Sequence, residues 1–184
     1  KSAADFTLDA GGVNDSPDNF PGAEAPGTTV TLDAGAYDVT ETGPTGYTAS
    51  YSADCAGTIA NGQTKTCTVT NNDQPGTLIV KKVVVNNNGG LLEADDFTFS
   101  VNGGAAVPFE ADGQNDLTVD AGMHDVTEPA VTGYATTYNN CTDVVIVNGG
   151  TAKNTVTNND IAPVLRLRKT VVNDNGGAAT LASF

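Results

Sequence analysis

The sequence lacks several residues and motifs on which catalytic and metal sites depend. It contains no tryptophan, one methionine and one histidine, and no cysteine and histidine pair at metal-ligand spacing. A phosphate-binding glycine loop and a nucleophile elbow are also missing. We therefore expect no conventional enzyme activity, no cofactor and no metal site.

Positive charge and long apolar runs are scarce as well. The sequence has 8 lysine and arginine residues against 22 aspartate and glutamate residues, so its formal net charge is -14. Such a surface repels phosphate backbones and anionic lipids, and a nucleic-acid partner is not expected. Because no run of 18 apolar residues occurs, insertion of this segment into a membrane is not expected either.

The residues that are abundant favour strands and turns. Threonine and valine suit the pleated surface of a strand, whereas the 21 glycines and the many asparagines and aspartates supply tight turns. Apolar clusters such as residues 77–80 have the length of a strand, and residues 88–90 and 148–150 have the composition of hairpin turns. The sequence predicts an all-β protein.

An internal repeat with a period of 87 residues is the strongest pattern in the chain. Residues 33–35, 37–41, 45–47, 68–73 and 82–90 recur as residues 120–122, 124–128, 132–134, 155–160 and 169–177. This period exceeds that of solenoid repeats, so each unit is expected to be a domain with its own core. Short strands with frequent turns favour a β-sandwich for each unit.

The phase of the repeat divides the chain into three parts. Residues 1–73 form a first sandwich that lacks its opening strand, and residues 77–160 form a second, complete one. Residues 163–184 repeat the opening strand and stop at Phe184, which is a counterpart of Phe6 and Phe97.

The spare strand at the C-terminus has two main interpretations. It completes the first domain of a neighbouring subunit, as in donor-strand complementation, or the chain is a window from a longer tandem array. A fraying terminal tail is the third and least favoured alternative. In the first two cases a neighbour must cover the unpaired sheet edge, which would otherwise promote aggregation.

Strand alternation directs polar residues onto apolar faces. In residues 165–171, Lys169 shares its face with leucine and valine, whereas the two arginines point to solvent. The same reasoning points further polar side chains inward: Lys82, Glu41, Asn71 and Asn158. Each unit that has its opening strand is therefore expected to direct a lysine, a glutamate and an asparagine into its core.

One chemistry uses these three side chains together. Desolvation lowers the pKa of the lysine, and its neutral amine attacks the asparagine carboxamide while a protonated carboxyl transfers protons. Ammonia leaves, and an intramolecular isopeptide bond remains. The alternative is a hydrogen-bonded cluster without a bond, in which the buried charges must be satisfied by their partners.

The chain carries three motifs that occur together: the lysine of the opening strand, a Y-x-V-x-E…P-x-G-Y stretch at residues 37–47 and a closing T-V-T-N-N at residues 68–72. They resemble the prealbumin-like repeats of bacterial surface proteins and pilins, which are related to collagen-adhesin B-type domains. The resemblance covers nearly the whole chain and implies immunoglobulin-like sandwiches. It also implies a bond between Lys82 and Asn158, assisted by Glu128.

The match to the family pattern is incomplete in both repeats. In the second repeat, Pro129 directly follows the glutamate and His124 stands where the first repeat has a tyrosine. The first repeat has Glu41 and Asn71 but no lysine-bearing strand of its own. If a neighbour's spare strand fills this gap, the neighbour's Lys169 meets Asn71, and the isopeptide bond joins two subunits.

Two of the three cysteines are expected to form a disulfide. Cys55 and Cys67 lie on either side of a turn at residues 61–62, and a disulfide between them is expected in an extracellular chain. The alternative is that all three are reduced, as in a cytosolic protein. Cys141 corresponds to Cys55, but Asn154 occupies the site of the second cysteine, so Cys141 is expected to be unpaired.

Together these patterns favour an extracellular or cell-surface structural subunit of a filament, pilus or stalk. Its partners would be identical subunits joined head to tail, and its only catalysis would be formation of its own isopeptide bonds. The alternative is an adhesive module, in which residues 9–26, the least repeat-like part of the chain, bind an unknown surface ligand. A structural subunit would polymerise, whereas an adhesive module would act as a soluble monomer.

Overall fold

The computed structural model describes residues 1–183, which contain β-strands and four short 3-10 segments but no α-helix. The first domain has seven strands: β1 (Thr7–Asp9), β2 (Phe20–Pro21), β3 (Gly35–Asp38), β4 (Thr40–Thr42), β5 (Tyr47–Tyr51), β6 (Ala56–Ile59) and β7 (Val69–Asp73). The 3-10 segments are Ala3–Asp5, Ala53–Cys55, Ala94–Asp96 and Leu181–Ser183. The all-β fold predicted from composition is confirmed.

The second domain follows directly and has nine strands. These are β8 (Gly76–Val85), β9 (Thr98–Val101), β10 (Val107–Pro108), β11 (Gln114–Val119), β12 (Gly122–His124), β13 (Val126–Thr127), β14 (Tyr134–Asn139), β15 (Val144–Ile146) and β16 (Thr151–Asp160). Their main sheet has the order β11-β8-β16-β14, and the remaining strands pair as β10-β9-β13 and β12-β15. Strands β8 and β16 are parallel neighbours at the centre of the main sheet.

The core of the second domain forms between these sheets. Alternation along β8 buries Leu78, Val80 and Lys82, while the residues between them are more accessible. They belong to or border a cluster of buried apolar side chains: Phe97, Phe99, Phe109, Val126, Val144, Ile146 and Val156. Strand β8 therefore closes one side of this core.

The first domain repeats this plan without a counterpart of β8. Within residues 1–183, strand β7 pairs only with β5, although its counterpart β16 pairs with two strands. Residues 27–32, the counterpart of β11, form no strand beyond one isolated bridge. Strand β11 pairs with β8, and the first domain has no counterpart of β8. Residues 27–32 therefore have no neighbouring strand to satisfy their backbone hydrogen bonds, and they do not form a strand.

The two domains are otherwise built alike. The rings of Phe6 and Tyr47 meet edge to face with centroids 5.4 Å apart, and those of Phe97 and Tyr134 do so at the same distance. The core of the first domain is nevertheless poorer, because among residues 1–73 only Phe6, Ala10 and Cys55 are buried apolar residues. An incomplete sheet explains the difference.

Two turns predicted as hairpins connect different sheets instead. The turn at residues 148–150 joins β15, which pairs with β12, to β16 in the main sheet. Residues 88–90 likewise connect β8 to the sheet of β9. The turn residues were identified correctly, but the hairpin prediction is wrong because a sandwich often passes the chain from one sheet to the other.

The C-terminal segment after Asp160 forms no strand within the described residues. Leu165 and Leu167 are 83% and 86% exposed, and the residues around them are exposed as well. The strand predicted for residues 163–184 is therefore not formed in the isolated chain, and Phe184 lies outside the described residues. Within residues 1–183, no helix is both long enough and apolar enough to span a membrane.

Candidate cross-link site and acceptor groove

Strand β8 points the Lys82 side chain into the core of the second domain, where it is fully buried. Its Nζ lies 3.8 Å from the ring centroid of Phe97 and 4.8 Å from that of Phe109. Burial lowers the pKa of Lys82 below its ordinary value, although the hydrogen bond and charge of Glu128 act in the opposite direction. The apolar surroundings thus favour a neutral amine.

Glu128 and Asn158 complete the cluster around this amine. The Lys82 Nζ donates hydrogen bonds to Glu128 Oε2 and to Asn158 Oδ1. The Asn158 Nδ2 donates to Glu128 Oε1 over 2.6 Å. Glu128, which directly follows β13, has a fully buried side chain. The structure therefore brings together the three second-repeat residues that the family resemblance implied.

Thr136 is a fourth member of the cluster, and sequence reasoning missed it. Its hydroxyl accepts a hydrogen bond from Asn158 Nδ2 at 3.1 Å and donates one to Glu128 Oε1 at 3.3 Å. Thr136 lies directly opposite Asn158 in the pairing of β14 with β16. The repeat gave no signal for it, because the counterpart in the first domain is Ala49.

This arrangement brings together the three groups that take part in a transamidation: an amine, a carboxamide and a carboxyl group. An amine in apolar surroundings contacts a carboxamide, and one carboxyl group contacts both. Lys82 and Asn158 lie on adjacent parallel strands, since the pairing partner of Lys82 is Val156, two residues before Asn158 on the same face. The geometry permits attack of the lysine nitrogen on the asparagine carbonyl carbon, with the glutamate transferring protons.

The first domain contains half of the same cluster. Asn71 on β7 donates from Nδ2 to Glu41 Oε2 on β4 over 2.8 Å. Both residues are half-buried and line an open groove of about 1030 Å³. Lys169 lies in the exposed C-terminal segment and is not among the residues that line this groove.

We call this cavity the acceptor groove. Its apolar lining includes Phe6, Leu8, Leu32, Val39, Ile59 and Val69. At the repeat spacing, the counterparts of the last four in the second domain are Val119, Val126, Ile146 and Val156, and those of Phe6 and Leu8 are Phe97 and Phe99, four residues beyond that spacing. All six form or border the closed core. The acceptor groove is thus the open half of a core that β8 closes in the second domain.

Asp160 holds the turn that follows β8, and the sequence analysis did not identify this role. Its carboxylate accepts hydrogen bonds from the backbone N–H groups of Asn87, Asn88 and Gly90 at 2.7–2.9 Å. Burial alone would raise the pKa of Asp160, but these bonds outweigh it and hold that pKa below the ordinary value. The counterpart of Asp160 in the first domain is Asp73.

The cysteines behave as the sequence analysis expected. Cys55 and Cys67 form a disulfide, which confirms that prediction. Cys141 is buried and is not part of a disulfide. Asn154, in the position of Cys67, is 1% exposed, and neither polar atom of its side chain has a hydrogen-bond partner within residues 1–183.

The fold and the site define a pair of tandem β-sandwich domains, one with a complete lysine, glutamate and asparagine cluster and one with only the glutamate and the asparagine. Residues 1–72 and residues 73–162 each match the model of the prealbumin-like fold domain, and the chain belongs to this family. The resemblance inferred from the sequence motifs is confirmed.

Two solved structures are similar to this chain at low sequence identity. The Bacillus anthracis TIE protein is 17% identical with a TM-score of 0.41, over 84% of this chain and 30% of that one. The major pilin protein (T-13) from Streptococcus pyogenes is 13% identical with a TM-score of 0.30, over 85% of this chain and 88% of the pilin. No curated protein sequence matches significantly.

Proposed function

We propose that this chain is a structural subunit of an extracellular surface filament, pilus or stalk, in which copies join head to tail by strand complementation. One observation carries the proposal. The first domain has an open groove where the second has β8, and residues 163–172 are the counterpart of β8 at the repeat spacing. The C-terminal segment of one copy would fill the acceptor groove of the next.

The side chains of the segment suit the groove. In β8 the buried residues are Leu78, Val80 and Lys82, and the repeat spacing gives Leu165, Leu167 and Lys169 as their counterparts. Both leucines are exposed in the isolated chain, and burying each would contribute about 1.5–3 kcal/mol. This apolar gain supports docking of the segment with the same face inward.

Backbone pairing supports the same position. Strand β8 pairs on one side with β11 and on the other with β16. A docked segment would therefore pair with residues 27–32 and with β7, satisfying both unpaired edges of the acceptor groove. Asp73 could then hold the turn at residues 173–177 of the incoming copy, as Asp160 holds the turn after β8.

Isopeptide bonds would lock both kinds of domain. In the second domain, Lys82 Nζ bonds to the side-chain carbonyl carbon of Asn158, the carbon–Nδ2 bond breaks, and ammonia leaves with protons transferred through Glu128. At the junction, Lys169 of one copy would bond to Asn71 of the next beside Glu41. Each chain would carry out this chemistry once, on itself or its neighbour, so it would not be an enzyme in the usual sense.

Association of the full chain tests strand complementation. We compare the unaltered chain with Leu167→Asp, which places a charge on the docking face, and with Arg168→Gln. The latter makes the same change in net charge, on the face whose counterpart Lys81 is exposed. Sedimentation over a range of concentrations should show oligomers for the unaltered chain and for Arg168→Gln, and monomers for Leu167→Asp.

Two outcomes would contradict this proposal. If the unaltered chain stays monomeric at all concentrations, strand complementation is wrong, and the adhesive alternative with residues 9–26 as its binding loop gains support. If Leu167→Asp associates as well as the unaltered chain, the contact between copies uses another surface.

A further inference from the structure

The two domains touch through a pair of turns. Gly46, in the turn before β5, accepts a hydrogen bond at its carbonyl oxygen from Gln74 N over 2.8 Å. Gly149, in the turn before β16, donates from its backbone N to Gln74 O over 3.0 Å. The turns are so close that a Cβ on Gly46 would lie 2.2 Å from Asn148 O. Glycine at position 46 is therefore required for this contact.

Each half of the contact has an equivalent elsewhere in the chain. Gly133 corresponds to Gly46, with φ angles of 85° and 84°, and Gly62 corresponds to Gly149, with φ angles of 75° and 64°. Ile161 N donates to Gly133 O over 2.8 Å, as Gln74 N does to Gly46 O. Both turns therefore already have the conformation that they need for the contact.

The turns at Gly133 and Gly62 are exposed, whereas the turns at Gly46 and Gly149 pack against each other. Among the described residues, no atom lies within 4 Å of a Cβ built on Gly133 or on Gly62. The turns at Gly62 and Gly149 are closed by equivalent hydrogen bonds. Gln63 N donates to Ala60 O over 3.0 Å in the first, and Gly150 N donates to Val147 O over 2.8 Å in the second. One complementary half-surface thus remains uncovered in each domain.

We infer that the junction between subunits repeats the junction between domains: the Gly133 turn of one copy packs on the turn at residues 61–62 of the next. Gly62 N of the next copy donates to Ile161 O of the first. The inference rests on the proposed function, because docking of residues 163–172 begins two residues after Ile161 and brings these turns together. The partner surface is a second copy of this chain.

The two junctions differ at one position. Pro163 stands where the domain junction has Gly76, and a Cβ on Gly76 would lie 2.2 Å from Ile146 Cγ2 and 2.9 Å from Gly150 O. The counterpart of Ile146 at the subunit junction is Ile59, whose side chain must move to admit the proline. The junction between subunits therefore matches the junction between domains at the glycine turns and differs from it around Pro163.

Alanine substitutions test the turn contact in the full chain. Gly133→Ala and Gly62→Ala each add a methyl group to one side of the contact, and Gly103→Ala is the matched control. Gly103 also has a positive φ, 68°, and open space around its Cβ. All three variants should lower the melting temperature by a similar few degrees, because alanine is strained at positive φ.

Association should separate the variants. Sedimentation should show at least about tenfold weaker association for Gly133→Ala and for Gly62→Ala, and less than about a twofold change for Gly103→Ala. If both junction variants associate like the control while Leu167→Asp does not, strand docking is correct and the turn contact is wrong. If the unaltered chain does not associate at all, the proposed function fails and this inference fails with it.

Discussion

Asn71 and Asn158 occupy the same position in the two domains, and each donates its side-chain amide to a core glutamate, over 2.8 Å to Glu41 and 2.6 Å to Glu128. Among the hydrogen bonds of residues 1–183 described above, Asn158 also accepts one from a lysine, Lys82. The difference is the strand that carries Lys82. The first domain therefore places its asparagine and glutamate as the second domain does, and under the proposed strand complementation Lys169 of another copy would join them.

The isopeptide bond of the second domain can be tested by intact mass spectrometry of the denatured, non-reduced chain. We expect a mass about 17 Da, the mass of the departing ammonia, below that of the chain with its Cys55–Cys67 disulfide alone, and Lys82→Ala to abolish this difference. The bond would span 76 residues of sequence, so by chain entropy its removal should lower the free energy of unfolding by about 4.5 kcal/mol. Lys81→Ala, at an exposed neighbouring position, is the control. A mass equal to that of the original chain with the Cys55–Cys67 disulfide alone would refute the bond.

A covalent junction between copies predicts ladders of multimers that survive denaturation. Lys169→Arg should remove the ladders, because the guanidinium stays protonated and cannot attack a carboxamide. Assembly measured under native conditions should persist, since the charge and length of the side chain are retained. Lys153→Arg, which alters an exposed lysine elsewhere, should leave the ladders intact. Ladders that persist without Lys169 would assign the link to another pair of residues.

The second domain should accept the disulfide that the first domain has. Asn154→Cys places a thiol opposite Cys141, in the positions equivalent to Cys67 and Cys55, whose Cα atoms are 4.5 Å apart. Closing this short loop should stabilise the domain by about 3 kcal/mol. Removing a buried amide that lacks hydrogen bonds should add about 1–3 kcal/mol.

Thiol titration and thermal unfolding check this prediction. The variant should show no free thiol under oxidising conditions, and its melting temperature should rise by about 10 °C or more. Asn154→Ala is the matched control, since it removes the amide without adding a thiol and should give only part of the increase. Two thiols that titrate after the oxidised variant is unfolded without reductant would contradict the equivalence of the two sites, because both positions are buried in the folded chain.

Asp160 should make the stability of the second domain depend on pH. Its pKa in the folded state is below the ordinary value of 3.8, because the backbone N–H groups of Gly90, Asn88 and Asn87 outweigh the effect of burial. Its stabilising contribution is therefore fully present above this value and is lost as pH falls through the lower folded pKa. Asp160→Asn should melt at a lower temperature at neutral pH.

The difference in melting temperature should shrink as pH falls from about 5 to about 2, because the wild-type carboxylate then becomes protonated. Asp95→Asn, which changes an exposed carboxylate by the same charge, is the control. A difference between Asp160→Asn and the original chain that stays constant over this range would show that the carboxylate charge is not the source of the stability.

Sequence periodicity identified the inward side chains because a strand alternates strictly between its two faces. It pointed Lys82 and Asn158 inward without knowledge of the sheet order. It could not identify Thr136, because that residue joins the cluster through the register of β14 against β16. Register depends on pairing between distant segments, which local alternation does not report.

Residues 27–32 show a second limit of local pattern. They have the same position in the repeat as β11, yet they form no strand, because the only strand with which β11 pairs has no counterpart in the first domain. The contacts of Asp160 were missed for a related reason. Their signal was only the recurrence of Asn-Asn-Asp at residues 71–73 and 158–160, and the turn that Asp160 holds lies about 70 residues earlier.

The parallel pairing of β8 and β16 determines how this domain would carry tension. A pull along the chain enters at Gly76, the first residue of β8, and leaves at Asp160, the last residue of β16. It therefore shears the two strands along each other and loads their hydrogen bonds together, instead of opening them one at a time. With Lys82 bonded to Asn158, the force would pass through that bond, and residues 83–157 would bear almost none of it.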